Sequence, residues 1–298
     1  MSRQNRVGTV AIVTLFLATL GAPGVRAAPP ASGGASALPG GASDITGTAR
    51  GKRLIARAAD RYAANGAKAQ PLRAIEDDGG ILIAPENTRF GSVEVTLAGG
   101  QKGIALAPLT PDAPALQTGA RAGDVGASAG PTWTFQGNQC FSRISDTWSW
   151  LDHCYYMYRL SNDGNASYDW FALAHYASMK ANVPWVMNWA RIRAYRHGGS
   201  AQTWADWSPK SDWNGGSCGT ISVAVTLPVG GIGISTERCP QLWDFTKSAN
   251  GTSPDYSLRW IGLGTRATRE LTFEIAVRVA QGGWAQWALP AEVHGSAF

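Results

Sequence analysis

The sequence predicts an all-β protein: an antiparallel β-sandwich stapled by two disulfides and preceded by a small α+β segment. Three observations lead there. All thirteen Trp and all four Cys lie after Gly130, which places the rigid part of the chain in residues 132–298. Apolar and polar residues alternate with period two through several stretches of that region, as half-buried strands require. Turn signals separate the stretches, and no long helical pattern interrupts them.

Taken in order, residues 1–27 read as a secretory signal peptide. Arg3 and Arg6 precede an apolar run from Val7 to Leu20, and Val25-Arg26-Ala27 offers small residues for cleavage near Ala27. The apolar run is short for a membrane span, and Gly21, Pro23 and Gly24 follow it. The expected location is therefore extracellular or periplasmic. The chain carries +5, but Arg3, Arg6 and Arg26 supply three of those charges. Residues 28–130 hold ten Lys/Arg and nine Asp/Glu, and residues 131–298 hold thirteen and twelve. Bulk charge thus gives no support to a nucleic-acid partner.

Residues 28–45 are rich in Ala, Pro, Gly and Ser and read as a flexible leader. Residues 46–108 differ. Leu54, Ile55, Ala58, Ala59 and Tyr62 recur at helical spacing from Lys52 to Asn65, with Gly66 to end the helix. Ile81–Ala84, Ser92–Leu97 and Gly103–Ala107 read as short strands. Such a segment is close to the lower size limit for a domain, and it equally suits a pro-region. Residues 109–131 return to Pro, Gly and Ala and read as a linker.

Within 132–298, Leu271, Phe273, Ile275, Val277 and Val279 form one strand face, and Ile221, Val223, Val225 and Leu227 another. Tyr168, Trp170, Ala172, Ala174 and Tyr176 form a third. Trp185, Met187, Trp189, Arg191, Arg193 and Tyr195 share a fourth. Turns fall at Asn162-Asp163-Gly164, His197-Gly198-Gly199, Asn214-Gly215-Gly216, Pro228–Gly231 and Asn250-Gly251, which implies seven to nine strands.

Four Cys in an exported chain point to two disulfides. A turn near Asp146–Trp148 places Cys140 opposite Cys154. A hairpin turning at Pro228–Gly231, with Leu227 facing Ile232 and Val225 facing Ile234, brings Cys218 and Cys239 to its base on one side. Each bridge is worth about 3 kcal/mol in the chain-entropy model.

Motifs for chemistry fail their context. Gly215-Gly-Ser217-Cys-Gly219 matches a nucleophile elbow, but a Gly-rich loop precedes Ser217 and a strand follows it. Gly262-Leu-Gly264-Thr-Arg-Ala267 resembles a dinucleotide fingerprint, but no helix follows. No Cys-x-x-Cys is present, and His153, His175, His197 and His294 form no close metal pair, so no metal or cofactor is expected. Asp152-His153 and Asp169 with His175 offer carboxylate–imidazole pairs, or else single polar residues on strand faces. For glycoside hydrolysis the available acids are Asp152, Asp169, Asp206, Asp212, Glu237 and Glu274.

The remaining signal is the excess of Trp. Trp204, Asp206, Trp207, Asp212 and Trp213 fall in a polar stretch without alternation, read as a loop. They suit a stacking platform for a sugar ring, or a cap on the sandwich end. On the Trp189 face, Arg191 and Arg193 form either a structural ladder or a basic aromatic strip for anionic glycans or lipid headgroups. The leading expectation is a non-catalytic secreted module binding a glycan or cell-surface ligand through Trp204–Trp213. A secreted hydrolase is the second. The third is a membrane-active exported protein with an inhibitory pro-segment at 46–108, compatible with basic-aromatic strands and Gly-rich hairpins; membrane contact ranks below glycan binding.

Overall fold

Local chemistry starts the one helix among the described residues. The Thr48 hydroxyl accepts from Gly51 N at 2.9 Å, capping α1 (Ala49–Ala64). Leu54, Ala58 and Tyr62 then line its buried stripe. The computed structural model describes residues 38, 41–64, 69–96, 101–112, 131–145, 149–212, 219–227, 230–238, 243–247 and 254–297. The signal-peptide and leader readings for residues 1–37 lie outside them.

The strands are β1 (Ser43–Asp44), β2 (Leu72–Asp77), β3 (Gly80–Pro85), β4 (Phe90–Thr96), β5 (Lys102–Pro108) and β6 (Thr132–Ile144). There follow β7 (Ser149–Ser161), β8 (Tyr168–Ala181), β9 (Trp185–Gly199), β10 (Thr203–Ser208), β11 (Gly219–Leu227) and β12 (Gly230–Arg238). The last are β13 (Trp243–Lys247), β14 (Asp255–Thr265), β15 (Arg269–Ala280), β16 (Ala285–Ala288) and β17 (Ala291–Ala297). The protein is therefore all-β and antiparallel, with twelve strands among the described residues between Thr132 and Ala297 rather than seven to nine.

An eight-stranded sheet runs β1-β2-β3-β6-β7-β8-β15-β10. A second sheet runs β13-β14-β9-β16, with β17 also paired to β9. The pairs β4–β5 and β11–β12 stand as separate two-stranded hairpins. The largest core cluster joins Phe171, Leu173, Phe273 and Ile275 of the first sheet to Met187, Ile192, Tyr256 and Leu258 of the second.

The region 46–108 is built into this body. Strand β3 pairs with β6, and Ile75, Leu82, Ala84 and Leu106 belong to the main core cluster. Gly80, at φ +103°, lets the β2–β3 turn press against β6; a Cβ there would meet Ile144 O at 2.2 Å. Buried Arg143 ties three strands together, donating to Asp77 Oδ1 at 2.7 Å and to Leu106 O at 2.6 Å. Strand β2 escapes a period-two reading because Ala74 and Ile75 are both buried, one in each of two clusters. Leu109–Asp112, at the start of the stretch read as a linker, are bonded to β16 and its neighbours: Thr110 N donates to Trp287 O and Trp284 Nε1 to Pro111 O. Residues 113–130 lie outside the described set.

Cys140 and Cys154 face each other across β6 and β7 and form a disulfide, with Cα atoms 4.1 Å apart. They lie beneath α1, in a cluster with Leu54, Tyr62 and Trp150.

Candidate functional site

The Trp204–Trp213 stretch is not a loop throughout. Residues Thr203–Ser208 are strand β10, paired to β15. Trp204 lies opposite Val277, Asp206 opposite Ala276 and Trp207 opposite Ile275, with a bulge at Ala205. On a regular strand residues three apart point to opposite faces; the extra residue restores both Trp to the core side. Their rings meet edge to face at 5.8 Å, and Trp204 also meets Tyr256 at 6.5 Å. Both are half-buried against the main core. Lys210 sits over Trp207 at 5.3 Å and bridges to Asp206 at 2.6 Å. Asp212 is exposed, and Trp213 lies outside the described residues. Among the described residues, Trp204 and Trp207 pack inward rather than forming a flat, open platform.

The acids do not converge either. Asp152 accepts from Arg61 at 2.5 Å and from Ser142 at 2.6 Å, joining α1 to β6 and β7, and burial raises its carboxyl despite Arg61 beside it. Asp169 accepts from Arg159 at 2.8 Å and Gly282 N at 2.7 Å. Glu274 is buried on β15, and the side chain of Glu237 lies outside the description. A cavity of about 350 Å³ lies near Glu76, Asp77, Asp78 and Glu292. Three of these acids already hold cations: Glu76 binds Arg50, Asp77 binds Arg143, and Glu292 binds Arg191. No group of three metal-ligating side chains occurs among the described residues.

The carboxylate–imidazole pairs are replaced by an imidazole–imidazole pair. Asp152 and His153 are neighbours on β7, so they point to opposite faces. His153 Nδ1 and His175 Nε2 lie 2.9 Å apart, both fully buried between Phe141 and Phe273. Their outer nitrogens, His153 Nε2 and His175 Nδ1, have no hydrogen-bond partner among the described residues. One of those nitrogens must carry a proton in the neutral pair, so a buried donor stays unsatisfied. Burial pushes His175 down to about 3, and burial with His175 and Arg143 nearby pushes His153 well below its ordinary value.

The Arg-rich face of β9 is a structural ladder. Arg191 binds Glu292 across to β17; Arg193 Nε donates to Asp255 at 2.7 Å and its guanidinium covers Tyr195 at 4.9 Å. The bond to Asp255 raises Arg193 further above its ordinary value. Met187 does not share the Trp189 face: register shifts at Ile261/Thr265 and His294/Gly295 turn it into the core.

The β11–β12 hairpin has the most distinctive geometry. Its register pairs Val225 with Ile232 and Val223 with Ile234, leaving two residues between Leu227 and Gly230. That shifts the expected pairing by two residues, which preserves which side chains share a face. Ile221, Val223 and Val225 are buried, while Thr220, Ser222, Ala224, Gly233 and Ser235 are exposed. Val223 and Val225, with Ile234, pack on Leu160, Trp170, Ala172 and Ala276 of the large sheet. Among the described residues, one hydrogen bond joins the hairpin to the body, Ala224 N to Asp206 Oδ2 at 2.8 Å. No charged residue occurs from Gly219 to Thr236. The register ends at Gly219↔Arg238; Cys218 and Cys239, next in the chain, lie outside the described residues. The alternation and missing charges were legible in the sequence; the hairpin's separation from both sheets was not.

No family model matches the chain, and no curated protein matches it. Among solved structures, a chain described as "Pore forming protein" is similar over 69% of this chain and 93% of that one, at 7% identity and TM-score 0.29. No helix of the described residues is long and apolar enough to cross a membrane.

Proposed function

We propose that the protein is an exported, membrane-active β-protein whose β11–β12 hairpin is stored on the outer sheet face and inserts into a bilayer. The observation that carries this reading is the hairpin itself. Each strand has nine residues, close to the roughly 9–11 that a tilted transmembrane strand needs. Over Thr220–Ser235 one face is Ile, Val and Leu with Gly230 and the other is Thr, Ser, Ala and Gly, the pattern of lipid-facing and lumen-facing positions, and Glu237 and Arg238 end β12. A lone hairpin leaves strand edges unsatisfied in lipid, so insertion requires several copies to close a barrel.

In this reading the two larger sheets are the layers of a sandwich, supported by the core cluster they share. A Cys218–Cys239 bridge closes the hairpin base, supported by the Gly219↔Arg238 pairing beside it. Export is supported by the N-terminal segment and by the Cys140–Cys154 disulfide. The hairpin, not residues 46–108, is the element that moves, since that segment supplies two strands and core side chains to the body. A glycan-binding role for Trp204, Asp206, Trp207, Asp212 and Trp213 has less support, because both described Trp side chains pack inward.

Dye release from lipid vesicles tests the reading. Val223→Asp should abolish release. Ser222→Asp, on the exposed face, should keep release and shift conductance toward cations. Release by Val223→Asp at the wild-type rate, or none by the wild type, contradicts the proposal.

A further inference from the structure

One end of the molecule gathers cations from three elements around an apolar turn. The β8–β9 turn contains Val183, 75% exposed and the most exposed large hydrophobic among the described residues, followed by exposed Pro184. Arg57 of α1 donates to Asn182 Oδ1 at 3.0 Å. Arg266, in the β14–β15 turn, donates to Pro184 O at 3.3 Å and Trp185 O at 3.4 Å. Exposed Lys180 lies three residues before Val183 on β8. The nearest acid in register is exposed Glu270, opposite Ser178.

We infer that this end is the docking surface for an anionic lipid bilayer. Val183 and Pro184 enter the interfacial layer while Arg57, Lys180 and Arg266 meet the headgroups. Two backbone carbonyls and one side-chain amide fix those guanidinium groups beside the turn, so the cations surround the apolar tip. A soluble polyanion would use the cations and gain nothing from Val183; a bilayer uses both. The inference rests on the membrane-active reading and adds where contact with the bilayer is made.

Co-sedimentation of the full chain with phosphatidylcholine vesicles, with and without phosphatidylglycerol, tests it. Binding should require the anionic lipid. Lys180→Glu should weaken it by about twenty-five-fold, from two charge units at about five-fold each. Val183→Asp should weaken it by a similar factor, with melting temperature unchanged. Arg278→Glu, beside Tyr168 at the other end of β8, is the matched control and should bind normally. Loss with Lys180→Glu but not Val183→Asp assigns a polyanion site and overturns the inference. Normal binding and dye release by both variants also overturns it, while leaving the hairpin proposal standing. If the wild type neither binds nor releases dye, the membrane reading itself fails.

Discussion

The outer face of the eight-stranded sheet carries two covers, fastened in different ways. Along β7, Trp150, Asp152 and Cys154 lie under α1, whereas Tyr158 and Leu160 lie under the β11–β12 hairpin. The helix is held by directional polar contacts on a surface that a disulfide cross-links. Asp152 holds Arg61, Tyr62 donates to Ile83 O at 3.2 Å, and Arg57 and Arg61 lie over Trp150 at 4.9 and 5.2 Å. A disulfide lies directly beneath. Among the described residues, the contacts of the hairpin are aliphatic packing and a bond from Ala224 to Asp206. Directional, buried bonds fix one geometry and are costly to break, whereas aliphatic contact transfers to lipid with little loss. The difference suits the helix to the part of a rivet and, in the proposed function, the hairpin to that of a detachable cover.

The largest expected effect breaks the riveted end. Asp152→Ala removes the acceptor shared by Arg61 and Ser142 in a buried network and should cost about 3 kcal/mol, read as a lower urea midpoint with unchanged slope. Next, replacing Cys140 and Cys154 together by Ala should cost about 3 kcal/mol, because the bridge closes a loop of sequence separation 14.

The imidazole pair behind both covers gives a pH dependence of similar size. Folding lowers both imidazoles, so the unfolded chain takes up protons first as pH falls below about 6.5. Stability is full above that pH and is lost on acidification toward the folded values, by about 3 kcal/mol between roughly pH 7.5 and 5.5 for two groups. His153→Leu with His175→Leu should flatten that slope in thermal melts.

The smallest effect is at the detachable end. Asp206→Ala should leave the melting temperature within a few degrees, yet it should lower the free energy needed to open the hairpin locally by about 1 kcal/mol. Hydrogen exchange should then rise in residues 219–238 and not in α1.

Alternation revealed the strands of 168–181, 221–225 and 271–279, and parity placed Cys140 opposite Cys154 before any coordinates. It failed where a bulge inserts a residue. Ala205 hid strand β10 and made an inward Trp pair resemble a loop platform; the shift near Asn188 misplaced Met187. It failed again at β2, where both faces are covered and Ala74 and Ile75 are both buried. The His153–His175 pair was invisible because its members lie on different strands and meet through the β7–β8 register, Tyr155↔His175 and His153↔Ala177. The hairpin's apolar face was legible, but which surface receives it depends on tertiary packing with Leu160, Trp170 and Ala276.

A reversible lock tests the central claim most directly. Asp206→Cys with Ala224→Cys places thiols at a hydrogen bond that joins hairpin to body among the described residues, where Ala224 N lies 2.8 Å from the Asp206 carboxylate. Dye release should vanish in the oxidised double variant and return on mild reduction, with the wild type unaffected by the same reductant. Full release from the oxidised, cross-linked protein would contradict the claim that the hairpin leaves the sheet.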